Sequence, residues 1–109
     1  MKFFDAHCDA VMNAYDGPVD FVNGEASGHM DLPRLLAAGH RAQVFAVFAV
    51  ASYYPDRDRS AMARGALATL HGWADASRGR MKVAAGRADI AAAFASDDAP
   101  LAAILGLEG

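Results

Sequence analysis

Two long apolar runs constrain the fold of this chain more than any other feature of the sequence. One covers residues 42–50 and is apolar apart from Gln43, and the other begins at Pro100 and ends on Glu108. A strand that is covered on one face alternates between apolar and polar residues, whereas a strand of a parallel sheet is covered on both faces and is apolar almost throughout. Both runs therefore predict buried strands of an α/β protein, and the second strand ends on a carboxylate.

A shorter strand is predicted at the N-terminus, from Phe3 to Asp9, and it carries polar side chains at alternate positions. Successive side chains of a strand point to opposite faces, so Asp5, His7 and Asp9 are expected on one face and Cys8 on the other. An imidazole and a carboxylate two residues apart can bind one divalent ion, or two neighbouring ions. This segment alone leaves open the alternative that the aspartates are turn and cap residues and that His7 is an ordinary strand histidine.

The rest of the chain predicts alternating strands and helices. The predicted elements are a loop with one short helical turn over 10–30, a helix over 31–39, the strand over 42–50, a helix over about 58–77, a strand-like segment over 81–85, a helix over about 88–95 and the strand from 100 onward. A loop as long as 10–30 is unusual in a compact domain unless it covers a binding site, although Tyr15 and Phe21 could equally serve packing.

Composition excludes several classes of function. The 109 residues are 54% hydrophobic and 21% charged, which is typical of one small globular domain, and the net charge is −3 with the ten basic residues spread along the chain. That distribution predicts neither a nucleic-acid partner nor a membrane surface. No signal-peptide core and no run of about 20 apolar residues is present, so a cytoplasmic location is expected. The single cysteine, Cys8, is predicted to be a small buried side chain.

Three motifs in a fixed order resemble one family of enzymes. They are D-x-H-x-D at Asp5–Asp9, "HMDLPRLLAAGHRAQVFAVFAV" at 29–50 and "LAAILGLEG" at 101–109. Together they resemble the membrane dipeptidases, also called renal-type dipeptidases, which are binuclear zinc peptidases. The resemblance spans nearly all of the chain but corresponds to about the first third of such an enzyme.

The resemblance implies a set of metal ligands. His7 and Asp9 match ligands of one zinc ion, and Glu108 matches the carboxylate that bridges two ions, which makes it the expected catalytic residue of this chain. Asp5, one pleat deeper on the same face, is expected to support the site from below. The implied reaction is hydrolysis of dipeptides by a hydroxide held between the two zinc ions.

The resemblance also implies a fold that this chain does not complete. A TIM-like (β/α)8 barrel takes about 250 residues, so residues 1–109 are expected to form its first three barrel strands and the intervening helices. The family takes two further histidine ligands from later strands, so the chain alone is expected to be inactive. Its expected partners are the dipeptide substrate and either a missing C-terminal barrel portion or further copies of itself.

Other residues and functions remain open at this stage. Tyr53 and Tyr54 follow the second strand and are equally consistent with a substrate-pocket wall and with a packed turn. His29, His40 and His71 do not follow predicted strands and are expected to be structural or solvated. The alternative functions are another binuclear amidohydrolase-type enzyme, and a non-catalytic βα module that associates with a partner chain through its exposed sheet edges.

Overall fold

The computed structural model describes residues 1–24 and 28–108, and these form four strands and four helices. The strands are β1 (Phe3–Cys8), β2 (His40–Phe48), β3 (Met81–Val83) and β4 (Leu101–Glu108), and the helices are α1 (Ala10–Asp16), α2 (Leu32–Ala37), α3 (Arg59–Ala76) and α4 (Arg87–Ala95). None of the helices in the described parts of the chain is long and apolar enough to span a membrane.

All four strands belong to one parallel sheet with the order β1-β2-β4-β3. The prediction of an α/β fold with parallel strands is therefore confirmed. The short strand β3 lies beyond β4, although it precedes β4 in the chain. Sequence patterns could not assign this position, because it depends on pairing with a strand that comes later in the chain.

The order of the strands explains the placement of the helices. Side chains of α1, α2 and α3 share one core with Phe45 of β2 and Leu101 of β4, whereas α4 packs through Ala93 against Ala42 and Ala102. Parallel crossovers are almost always right-handed. The connection from β3 back to β4 runs against the direction of the earlier ones, so its helix must cross the opposite face of the sheet.

An aromatic cluster anchors the long segment between α1 and α2 to this core. Phe21 is fully buried and stacks on Trp73 of α3, with the ring centroids 4.3 Å apart, and it meets Phe45 edge-on at 5.5 Å. The role of Phe21 is therefore packing.

The prediction of a loop with one helical turn over 10–30 is wrong at its start, because α1 forms two turns there. Residues 25–27 of that prediction lie outside the described residues.

Two helices begin with an aspartate whose side chain caps them. The carboxylate of Asp31 accepts a hydrogen bond from the backbone N–H of Arg34 at 2.9 Å, and Asp58 accepts one from Ala61 at 3.0 Å. Gly39 follows α2 with φ +88°, a conformation that a side chain disfavours, and a Cβ atom there would collide with the carbonyl oxygen of Met1. Asp31 and Gly39 thus mark the two ends of α2, and β2 begins directly after Gly39.

Candidate metal centre

The end of β1 is irregular where the predicted ligands occur. Asp5 pairs with Gln43 and Cys8 pairs with Phe45, so three steps along β1 match two steps along β2. An extra residue of this kind is a β-bulge, and it turns the side chains of the strand locally. The strict alternation predicted for Asp5, His7 and Asp9 is therefore interrupted within the strand.

His7 and Asp9 nevertheless meet. Nε2 of the His7 ring lies 3.1 Å from Oδ1 of Asp9, and the side chains are 57% and 53% exposed, so both are accessible from solvent. Asp9 directly precedes α1, but its side chain makes no capping hydrogen bond; only its backbone carbonyl joins the helix, accepting from the N–H of Met12 and of Asn13. The carboxylate of Asp9 is directed to the imidazole instead of the helix.

Asp5 contacts His7 through the backbone. Its Oδ1 accepts a hydrogen bond from the His7 N–H at 3.2 Å. The sequence predicted that Asp5 would support the site from below, and the observed contact holds the main chain of His7 while Asp9 meets its ring. His7 is thus bracketed by two carboxylates.

Cys8 is buried on the core side of the same strand end. Burial, opposed by a hydrogen bond from Ala10 and reinforced by the carboxylates of Asp5 and Asp9, raises the pKa of its thiol to about 11. A thiol with so high a pKa is protonated at neutral pH and is not a nucleophile. The structure agrees with the predicted role of Cys8 as a small buried side chain.

Glu108 ends β4 at the same edge of the sheet but lies further along it. It pairs with Phe48 of β2, three residues beyond Phe45, the partner of Cys8. Three residues span about 10 Å of strand. Across residues 1–24 and 28–108 no three histidine, cysteine, aspartate or glutamate side chains are grouped so that they could hold a metal ion. The structure therefore joins two of the predicted ligands, and the role of Glu108 stays a prediction.

Two clefts open at this edge, one beside each part of the predicted site. The cleft at Asp9 has a volume of about 630 Å³ and is lined by Cys8, Asp9, Ala10, Asn13, Pro18, Val19, Gly28, His29 and Met30. The cleft at Glu108 has a volume of about 650 Å³ and is lined by Ala49, Val50, Ala51, Arg59, Ser60, Ala63, Leu107 and Glu108.

Asn13 is a cleft residue that the sequence analysis did not identify. It lies one helical turn after Asp9 on the exposed side of α1 and lines the same cleft as His29. The spacing of four residues would have indicated this position if residues 10–16 had been interpreted as a helix.

The two tyrosines after β2 have different surroundings. Tyr53 is 73% exposed. The Tyr54 hydroxyl donates to the carboxylate of Asp16, with oxygen–oxygen distances of 3.0 and 3.1 Å, and its ring meets Tyr15 edge-on at 6.2 Å. Loss of solvent around the hydroxyl and the bond to Asp16 raise the pKa of Tyr54. Tyr54 thus joins the loop after β2 to the end of α1, and a pocket role for both tyrosines stays a prediction.

Comparison with known proteins gives one consistent family. The family model described as membrane dipeptidase, peptidase family M19, matches residues 1–109. Among curated proteins, none matches the sequence.

Solved structures that match this chain share its fold, among them two metallo peptidases. One is dipeptidase AC, a metallo peptidase of family M19, with 24% identity and a TM-score of 0.83 over all of this chain and 37% of its own length. The other is a metallo peptidase from Rhodobacter sphaeroides liganded with a phosphinate mimic of the dipeptide L-Ala-D-Ala, with 20% identity and a TM-score of 0.81 over all of this chain and 38% of its own length.

This chain thus spans little more than a third of the length of either solved structure. Its parallel sheet and helices match the corresponding part of their TIM-barrel fold, which confirms the predicted fold class. The family match extends over the whole sequence, including the D-x-H-x-D segment of β1 and the Glu108 end of β4. The chain belongs to the membrane dipeptidase family, peptidase family M19.

Proposed function

We propose that this chain supplies His7, Asp9 and Glu108 to the metal centre of a zinc-dependent dipeptidase, and that it does not turn over substrate by itself. The observation that carries the proposal is the His7–Asp9 pair, accessible at the carboxyl end of a parallel sheet. Active sites of TIM-barrel enzymes lie at this end of the strands. The family match adds the class of reaction.

The geometry of the pair fits a zinc ion. Zinc binds histidine nitrogen and carboxylate oxygen at about 2.0–2.2 Å, so two such donors on one tetrahedral ion lie about 3.3–3.6 Å apart. Nε2 of His7 and Oδ1 of Asp9 are 3.1 Å apart. An ion could therefore replace the hydrogen bond between them with little movement of either side chain.

Each residue has a separate part in this proposal. His7 supplies the lone pair of a neutral imidazole, and Asp9 supplies negative charge that offsets part of the charge of a dication. Glu108 ends β4, the next parallel strand but one from β1, and its exposed carboxylate is proposed to join the centre from the side of β4. When bound, zinc supplies a water nucleophile that is active near neutral pH.

We propose a dipeptide as the substrate class. One structural neighbour binds a phosphinate mimic of L-Ala-D-Ala. The cleft beside Asp9, with a volume of about 630 Å³, is within the range of small-molecule sites. Asn13 and His29 offer hydrogen-bonding groups to the main-chain atoms of a dipeptide there.

Zinc binding tests the metal centre. We expect the wild-type chain to bind zinc, and His7→Ala and Asp9→Ala to weaken binding by more than about a hundredfold, beyond the effect of losing a supporting residue. His71→Ala, which removes an exposed histidine of α3, should leave the affinity unchanged. Competition with a chromophoric chelator measures all four proteins. Equal affinity of the wild type and the His7 variant would contradict the proposal.

Hydrolysis tests the second part. We expect no release of amino acids from L-Ala-D-Ala by the zinc-loaded chain, because His7, Asp9 and Glu108 make an incomplete binuclear site. Turnover that disappears in His7→Ala would show that this chain is catalytically sufficient, and would overturn the proposed need for further residues.

A non-catalytic role through association is the second candidate. β1 is the edge strand next to β2, and its Phe3 and Phe4 are 41% and 52% exposed. An edge strand with exposed aromatic residues favours pairing with another strand. Sedimentation of the chain at several concentrations tests this, and a monomer at all of them would exclude self-association.

A further inference from the structure

We propose that Asp5 is a positioning residue for the metal ligand His7, acting on its main chain rather than on its ring. The inference rests on the proposed function, in which His7 binds zinc. It starts from the bulge in β1, where the ladder to β2 is interrupted between Asp5 and Cys8. Within that interval the backbone of His7 has lost its regular place beside β2.

The carboxylate of Asp5 supplies a partner for the amide of His7 within this interval. It accepts the hydrogen bond of the His7 N–H at 3.2 Å, two residues along the chain. A local bond of this kind is characteristic of aspartate, whose short side chain reaches neighbouring amides. A side chain of β1 itself thus holds the main chain within the bulge.

The bond from Asp5 acts on His7, whose ring must be directed toward Asp9 if the two are to bind one ion. A bulge re-aims a side chain, and the ring of His7 is directed to Asp9 at 3.1 Å. The other fixed point is the burial of Cys8 in the core, one residue later. With the amide of His7 held by Asp5 and the next side chain held in the core, the main chain of His7 has little freedom, and its ring stays beside Asp9.

A purely structural reading predicts a different pattern. If Asp5 only satisfied an amide, its loss would lower stability as the loss of any comparable bond does and would leave His7 ordered. Asp58 provides the matched case, because its Oδ1 also accepts a backbone N–H, that of Ala61 at 3.0 Å, at an exposed site remote in sequence from His7.

The test compares Asp5→Ala, Asp5→Asn and Asp58→Ala with the wild type by nuclear magnetic resonance without metal. Couplings across the Cα–Cβ bond report the rotamer of His7, and amide exchange reports its N–H bond. We expect Asp5→Ala to average the rotamer and to speed exchange of the His7 amide about fivefold or more, the weight of one hydrogen bond. Asp5→Asn keeps an acceptor oxygen and should retain one rotamer, as should Asp58→Ala.

Zinc affinity gives the second measurement. Loss of a supporting residue typically weakens metal binding about ten- to hundredfold, and we expect this for Asp5→Ala but not for Asp58→Ala. An ordered His7 ring with unchanged amide exchange in Asp5→Ala would overturn the inference, whatever the zinc affinity of that variant. A disordered ring in Asp5→Ala, in a chain whose wild type binds no zinc, would support the positioning role and count against the metal centre alone.

Discussion

The strands β1 and β4 flank the same strand β2 but are held to it differently. β4 pairs with β2 without interruption from Ala102 to Glu108, whereas β1 pairs with it at four positions separated by two irregularities. Leu101 at the start of β4 is fully buried, while Phe4 in β1 is 52% exposed. The regular side of the sheet forms the framework, and the irregular side presents polar side chains to solvent.

The aspartates at the helix starts also divide into those that stabilise the framework and one that belongs to the candidate site. Asp31 and Asp58 cap α2 and α3, and Asp89 in the first turn of α4 accepts the N–H of Ala85 at 2.8 Å. Asp9 stands in the equivalent place before α1 and makes no such bond, because its carboxylate meets His7. Aspartates at helix starts thus serve stability at three helices, at the N-cap of α2 and α3 and within the first turn of α4. At the N-cap of α1, Asp9 serves the candidate site.

Truncation of one side chain in each strand tests the first comparison and should give the largest effect. Leu101→Ala removes a fully buried side chain and should lower the free energy of unfolding by about 2–5 kcal/mol. Phe4→Ala removes a half-exposed one and should lower it by less than about 1 kcal/mol, because little surface returns to water. Urea denaturation measures both. Equal losses would show that β1 is as much a part of the framework as β4.

Replacement of two aspartates tests the comparison of helix starts. Asp58→Ala should lower the free energy of unfolding by about 1 kcal/mol through loss of a cap. Asp9→Ala removes no capping bond from α1 and should change stability by less than about 0.5 kcal/mol. The effects on zinc affinity should be the reverse. Thermal unfolding together with the chelator competition checks both variants, and a large loss of stability in Asp9→Ala would mean that Asp9 caps α1 after all.

Much of the framework could be predicted from the sequence because its signals are local. The apolar run of β2, the Asp31–Pro33 start of α2 and the Asp58 start of α3 depend on residues within a few positions of one another. The bounds predicted for these elements were confirmed to within about two residues. The spacing of two also placed His7 beside Asp9, and the two side chains are in contact, while their role as metal ligands stays a prediction.

Other features depend on distant or competing signals. Turn-forming residues such as Asn13 and Gly17 concealed the apolar side of α1, which packs through Val11 and Met12. The place of β3 beyond β4 is a non-local pairing. The bulge of β1 arises where three steps along β1 match two steps along β2, and no pattern within β1 encodes the residues opposite it. The offset of Glu108 along the sheet also depends on non-local pairing, that of β1 and β4 with β2.

The smallest expected effect concerns Asp89. Its carboxylate accepts a backbone N–H just before α4, whereas the carboxylate of Asp9 accepts none at the start of α1. The bond from Lys82 and the N–H of Ala85 lower the pKa of Asp89 below the ordinary value of 3.8. A carboxyl whose pKa is lowered by folding stabilises the folded state above its unfolded pKa, and this contribution is lost as pH falls through the lower, folded pKa.

The difference in melting temperature between the wild type and Asp89→Asn should therefore be constant near neutral pH and shrink as the pH drops below about 3.8. Because the pair is exposed, the difference should be small and should weaken in salt. Asp75→Asn, an exposed change on α3, is the control for the general effect of losing one charge. A difference for Asp89→Asn that grows toward acid pH would mean that the carboxylate opposes the start of α4, and the contrast with Asp9 would then fail at that helix.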